Sequence, residues 1–134
     1  MVPAVAPFLN VKGLSVQFRT RNGVVRAIED VNLEVAKGEV LGIVGESGSG
    51  KSVTAYTMIG LLDVAGSPVA GSATFDGISV TSASESTLRD LRGREVSMIF
   101  QNPRSALNPI RPVGKQIEDV MLRHCLATRQ TARV

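Results

Sequence analysis

The sequence predicts an α/β chain with an antiparallel, strand-rich front and a strand–loop–helix unit behind it. Three observations carry this reading. Leu14, Val16 and Phe18 alternate with polar residues, and Val31, Leu33 and Val35 do so again. That period of two belongs to half-buried strands. Val40-Leu41-Gly42-Ile43-Val44 is a continuous apolar run, the pattern of a strand covered on both faces in a parallel sheet. A glycine-rich segment follows it and opens into helix-forming sequence over residues 52–62.

The elements follow in order. Thr20-Arg21-Asn22-Gly23 supplies an Asn-Gly hairpin turn after the first strand. Ala36-Lys37-Gly38-Glu39 reverses the chain ahead of the apolar run. In the helix, Val53, Ala55, Met58, Ile59, Leu61 and Leu62 leave little polar face, so burial is expected. Residues 63–72 read as loop, with Gly66, Pro68 and Gly71, and residues 73–80 as a hairpin arm turning at Asp76-Gly77. Leu88 and Leu91, three apart, mark a short helix over 84–94 that stops near Gly93. Residues 96–100 form a second apolar run, expected as a strand. Asn102-Pro103 and Asn108-Pro109 then punctuate a loop. From about Val113 onward, Ile117, Val120, Met121 and His124 fall at helical spacing.

Composition bounds the function. With 134 residues the chain holds at most one domain. Its 43% hydrophobic and 20% charged residues suit a folded globular chain. No apolar run reaches the roughly 18–20 residues that cross a bilayer. The start, Met1-Val2-Pro3-Ala4-Val5-Ala6-Pro7, lacks early basic residues and does not read as a secretory signal. A single cysteine, Cys125, rules out an internal disulfide and fits a reducing compartment. A net charge of +3 is that of ordinary surface arginines, and 4% aromatics with no Trp offer few platforms for base stacking. Nucleic acid is therefore not expected as a partner.

Gly45-Glu46-Ser47-Gly48-Ser49-Gly50-Lys51-Ser52 fits the pattern G-x-x-x-x-G-K-[ST] at every required position. Gly45, Gly48 and Gly50 let the backbone curl and approach an anion without Cβ clashes. The helix behind them presents its unpaired N–H groups and positive dipole end. Ser49 contributes to the same cradle. Lys51 is expected between the terminal phosphates of a nucleoside triphosphate, and Ser52 on the bridging Mg²⁺. A strand pattern before the motif and a helix pattern after it supply the context the mechanism needs. Glu46 and Ser47 take no assigned role.

The flanks narrow the class. The sequence Leu14-Ser15-Val16-Gln17-Phe18, then Ala27 through Glu39, then the P-loop, resembles the nucleotide-binding subunits of ABC transporters. Leu88-Arg89-Asp90-Leu91-Arg92-Gly93 and the stretch Met98-Ile99-Phe100-Gln101-Asn102-Pro103-Arg104-Ser105-Ala106-Leu107-Asn108-Pro109 resemble the oligopeptide/dipeptide/nickel importer branch. The resemblance implies a P-loop NTPase-like core with an N-terminal antiparallel β subdomain, truncated before the Walker B strand. Residues 10–134 would be a partial nucleotide-binding domain and residues 1–9 an N-terminal extension.

Further roles are implied by the family alone. ATP and Mg²⁺ would be the ligands. Phe18 would stack on adenine, although a plain core residue of an alternating strand explains it too. Gln101 matches the family's Q-loop glutamine, a catalytic position near Mg²⁺ or the attacking water. Spacing alone makes it an ordinary polar residue ending a strand. The region from Gln101 to Pro112 would face an integral membrane permease subunit. A second ATP-binding subunit would complete a homo- or heterodimer, peripheral on the cytoplasmic face of the bacterial inner membrane.

Parts of the family pattern are not found downstream of Gln101: the Leu-Ser-Gly-Gly-type signature, the Walker B strand with its catalytic Glu, and the switch His. Asp63, Asp76, Asp90 and Asp119 lack the preceding apolar strand a Walker B Asp needs. His124 lies too far upstream for the switch. With Cys125 it makes only two ligands of a metal site, and a helix-face residue beside a small buried hydrophobe explains the pair better. The expectation is a chain that binds ATP and does not hydrolyse it alone. Its strand over 40–44 would show an open apolar edge, giving marginal stability. A non-catalytic permease-docking module is the alternative. A P-loop kinase stays open but leaves 98–109 unexplained, and a GTPase would need an N-K-x-D, which is absent.

Overall fold

The computed structural model describes residues 7–124, 126, 128, 131 and 132, without the side chain of Ser105. The chain divides into two compact units, Met1–Ser84 and Glu85–Val134. Cys125 and most of the tail beyond His124 lie outside the described residues.

The first unit is built on a four-stranded antiparallel sheet in the order β2-β1-β3-β4. β1 (Leu9–Thr20) and β2 (Gly23–Val35) are joined by the two-residue turn Arg21-Asn22, with Thr20 paired to Gly23. The hairpin forms where expected, but neither Arg21 nor Asn22 has positive φ, so it is not the Asn-Gly turn of the sequence reading; Gly23, at φ 123°, opens β2 instead. β1 is not a simple alternating strand. Between Val11 and Leu14 it carries an extra residue against both neighbours, opposite Asn32 of β2 and Gly71 of β3. This bulge, at Gly13 with φ 59°, returns Val11 to the face that holds Leu14 and Val16. All three side chains are fully buried. Asp30, also at positive φ, adds a second offset on β2. The irregular stretch is laced by polar bonds. Gly13 N–H donates to Asn32 Oδ1 at 2.8 Å, Asn32 Nδ2 to Asp30 O at 2.8 Å, and Asp30 N–H to Ser15 Oγ at 3.0 Å.

β3 (Gly66–Phe75) starts earlier than the expected hairpin arm and takes in most of the stretch read as loop. Gly, Pro and Ser dominate it locally, but pairing along β1 decides the conformation. β4 (Ile78–Ser79) pairs only with Thr74 and Phe75, so β3 is an edge strand at Pro68. There a missing N–H is tolerated. The turn falls at Asp76-Gly77 as expected. Phe75 closes the core against Phe8, ring centroids 4.7 Å apart at 61°.

α1 (Lys51–Met58) is shorter than the sequence suggests. Gly60 adopts φ 65°, Leu61 N–H bonds Tyr56 O at 2.8 Å and Gly60 N–H bonds Thr57 O at 3.0 Å. This pair is a Schellman stop. Thr54, Thr57 and Ile59 are the buried positions, and both threonine hydroxyls return to helix carbonyls.

The two apolar runs expected as strands join no sheet, and only Val96 makes an isolated bridge, to Arg92. Residues 40–46 and 97–100 carry no ladder. Val40 and Val44 are 95% and 97% exposed, and Ile99 is 93% exposed. A strand exists through a ladder of lateral hydrogen bonds, and neither run builds one. The fold class stands nonetheless: antiparallel sheet in front, then loop and helix.

The second unit holds α2 (Glu85–Leu91), a 3₁₀ turn (Pro103–Ala106) and α3 (Val113–Arg123). Leu88 and Leu91 are buried as their spacing implies. Gly93, at φ 83°, ends the α2 region. A Cβ there would lie 2.8 Å from His124 Nε2, so the imidazole rests on this glycine.

Candidate phosphate-binding site

The chain enters the site from residues 40–44 and turns at once. Ser49 N–H bonds Glu46 O at 3.3 Å, with Gly48 at φ 84° in the third position. That geometry favours glycine. Gly50, at φ 89°, forms the N-cap of α1. A Cβ on Gly50 would strike Ile28 Cγ2 and sit 3.0 Å from Ala27 O. Glycine here is required twice, by conformation and by the strand behind it.

The first helical bond runs from Thr54 N–H to Gly50 O at 2.9 Å. The N–H groups of Lys51, Ser52 and Val53 therefore have no intrahelical acceptor. No side chain caps them, and the first turn carries no acidic residue. Three free donors and the positive end of the helix dipole define an anion seat.

Lys51 completes it. Its Nζ donates to Gly45 O at 2.7 Å, Glu46 O at 2.6 Å and Ser49 Oγ at 3.2 Å. The ammonium is thereby pinned over the loop by the loop's own oxygens. Ser52 is exposed, and its hydroxyl makes no hydrogen bond among the described residues. A cleft of about 470 Å³ is lined by Gly45, Ser49 and Lys51 together with Val31, Leu33 and Leu41. Such a site can hold a phosphate chain through backbone donors and the lysine cation.

The ABC transporter family model matches residues 28–133. The chain belongs to the ABC transporter family. Relatives agree. The chain is 49% identical over 116 residues to the oligopeptide transport ATP-binding protein OppD of Escherichia coli, covering 87% of this chain and 34% of that protein. With OppD of Haemophilus influenzae the identity is 45% over 126 residues, 94% of this chain and 39% of the relative. With OppD of Bacillus subtilis it is 42% over 130 residues, 96% of this chain and 36% of the relative. The chain thus spans between a third and two fifths of the length of these relatives. Among solved structures, the dimeric structure of MJ0796, a bacterial ABC transporter cassette, superposes with TM-score 0.74 at 23% identity, covering 87% of this chain and 47% of that one. A post-hydrolysis state of the same cassette bound to ADP and Pi gives TM-score 0.73 at 22% identity, covering 90% and 49%. This places the ABC chain in the P-loop NTPase fold.

Phe18 and Gln101 are the other residues expected at the site. Phe18 is half-buried on β1, paired with Val25 and Gly66. Its ring lies over Gly66, where a Cβ would come within 2.7 Å of Phe18 Cε1. Gln101 belongs to the second unit and is exposed directly after Phe100. Among the described residues no group of three or more His, Cys, Asp or Glu could hold a metal ion, and no helix is long and apolar enough to cross a membrane.

One residue of this ABC chain escaped the sequence reading. Gln116, on α3, clamps the loop ahead of it. Its Oε1 accepts from Asn108 N–H, and its Nε2 donates to Asn108 O and Arg111 O, each at 3.0 Å. Asn108 Oδ1 in turn accepts from Ile110 N–H at 3.0 Å. A glutamine eight residues from its partner gives no periodic signal. Gln116→Ala is expected to weaken the loop locally by about 1–2 kcal/mol, read as faster amide exchange at Asn108 and Ile110 with β1 and β2 unchanged.

Proposed function

We propose that this chain provides the ATP-binding, energy-coupling part of an ABC importer for peptides or related small solutes. The observation that carries the proposal is the seat at residues 45–52: three uncapped helix N–H groups beside a lysine ammonium already fixed over the loop. The names of the OppD relatives supply the cargo class.

In this reading Gly45, Gly48, Ser49, Gly50 and Lys51 cradle the triphosphate of ATP. Mg²⁺ would be held by Ser52, whose free hydroxyl is the hard oxygen donor that ion prefers, and it would neutralise charge between the terminal phosphates. Phe18 offers a ring to adenine. Gln101 would act near the metal or the attacking water. Residues 10–134 make up the nucleotide-binding portion. The exposed loop from Gln101 to Pro112, held by Gln116, would meet the membrane permease. A second ATP-binding subunit would face the nucleotide across a dimer at the cytoplasmic face of the inner membrane.

These 134 residues are proposed to bind Mg–ATP without turning it over, since no carboxylate is assigned to activate water. Calorimetric titration of the purified chain with Mg–ATP should saturate, and a phosphate-release assay should stay at the buffer rate. Absence of binding would remove the nucleotide assignment. Phosphate release that disappears in Lys51→Ala would remove the claim of inactivity.

A further inference from the structure

We propose that the Ser49 hydroxyl is a placeholder for a phosphate oxygen, occupying the third proton of Lys51 while the loop is empty. The inference rests on the phosphate-binding reading above and adds a positioning role at a variable place in the motif.

An ammonium has three protons, and each here has a partner. Two go to backbone carbonyls of the entering limb, at 2.7 Å on Gly45 and 2.6 Å on Glu46. The third goes to the only side-chain oxygen of the set, Ser49 Oγ on the returning limb, at 3.2 Å. The two short bonds involve oxygens that the covalent loop holds in place. The long one involves a hydroxyl that a single χ rotation removes, so it is the bond a ligand exchanges.

The packing favours this arrangement. A Cβ on Gly45 would lie 2.7 Å from Ser49 Oγ and 3.9 Å from Lys51 Cδ. Ser49 and the lysine stem therefore meet over the Gly45 α-carbon, and the glycine leaves them the room. With the hydroxyl in place, the ammonium of the empty loop stays aimed across the cradle instead of swinging into water. An arriving phosphate oxygen, fully charged, makes the stronger charge-assisted bond and displaces a neutral hydroxyl. Ser49 is a positioning residue in this scheme: it acts through Lys51.

The test compares the full 134-residue chain with Ser49→Ala and the hydroxyl-retaining Ser49→Thr. Heteronuclear NMR of the Lys51 ammonium in the empty chain reports how fast its protons exchange with water. Calorimetry with Mg–tripolyphosphate reports phosphate affinity without the base. Ser49→Ala should speed ammonium exchange and, with no internal bond to displace, tighten tripolyphosphate binding about threefold. Ser49→Thr should follow the parent chain in both. Unchanged ammonium exchange in Ser49→Ala overturns the placeholder, and so does weaker tripolyphosphate binding, which would make Ser49 a direct phosphate ligand. If none of the three chains binds tripolyphosphate, the phosphate-site reading falls instead. The ammonium comparison then still decides whether Ser49 holds the lysine.

Discussion

Lys51→Ala should lower affinity for Mg–ATP about tenfold while leaving the fold intact. The ammonium supplies charge-assisted bonds of about 1.5–3 kcal/mol each to an anion, reduced by the site's exposure to water. The one bond that the ligand takes over from Ser49 gives the stated loss. Some affinity should survive, because the N–H groups of Lys51, Ser52 and Val53 belong to the backbone. The fold should survive as well. The ammonium's three partners are all within the loop, and the freed carbonyls of Gly45 and Glu46 are exposed and can bond water. Calorimetry measures the first effect and a urea midpoint the second. Parent-like affinity in Lys51→Ala would show that the ammonium does not read the phosphates.

Gly71→Ala should destabilise the first unit by about 3–4 kcal/mol. Gly71 lies on β3 at φ 76°, where an L-residue carries about 1–2 kcal/mol of strain. Its backbone also abuts the β1 bulge, and an added Cβ would overlap the carbonyl of Gly13 and the oxygen of Lys12. Backbone cannot rotate aside as a side chain can, so the sheet must part locally, at a further 1–3 kcal/mol or so. Gly77→Ala is the control. Gly77 has φ 79° but open space around its Cβ position, so it isolates the conformational part. Urea unfolding should place Gly77→Ala about 1 kcal/mol below the parent chain and Gly71→Ala well below that. Equal midpoints for the two variants would show that the bulge does not depend on close approach.

The contrast between Gly71 and Gly77 also explains what was readable beforehand. Asp76-Gly77 announces its turn because a turn is local chemistry. So do Asn22-Gly23 and the entire phosphate loop, where each residue type answers to a neighbour a few positions away. Gly71 looked like loop punctuation because its reason lies on Gly13, far off in sequence. Val11 was missed as core for the same cause: strict alternation from Leu14 puts it on the wrong face, and only the bulge brings it back. Gly60 was legible and overlooked. Apolar residues continue past it, so the pattern of burial ran beyond the helix itself. The runs at 40–44 and 96–100 failed differently. Their composition was read correctly as strand-like, but a strand needs a hydrogen-bonded neighbour, and composition cannot supply one. In the candidate site, the motif predicted a glycine-rich loop that curls into a helix N-terminus. It did not predict which oxygens Lys51 holds, because that depends on how the curled loop places two carbonyls and a hydroxyl in space.

The unpaired run at 40–44 also sets a clock on synthesis. The β1–β2 hairpin is local and closes in microseconds once both strands have emerged. The apolar run behind it has no such neighbour. The next strand to emerge, β3, pairs with β1 and leaves the run without a ladder. At about 5–20 residues per second, the stretch from Val44 to Phe75 emerges over about 2–6 seconds. Throughout it, Val40 and Val44 face water beside other nascent chains. Lys37 and Glu39 before the run, with Glu46 after it, place charge at both ends. Such flanking charges act as gatekeepers against strand-to-strand association. They would protect the approach to the glycine-rich loop both then and in the folded chain, where Val40 and Val44 stay exposed.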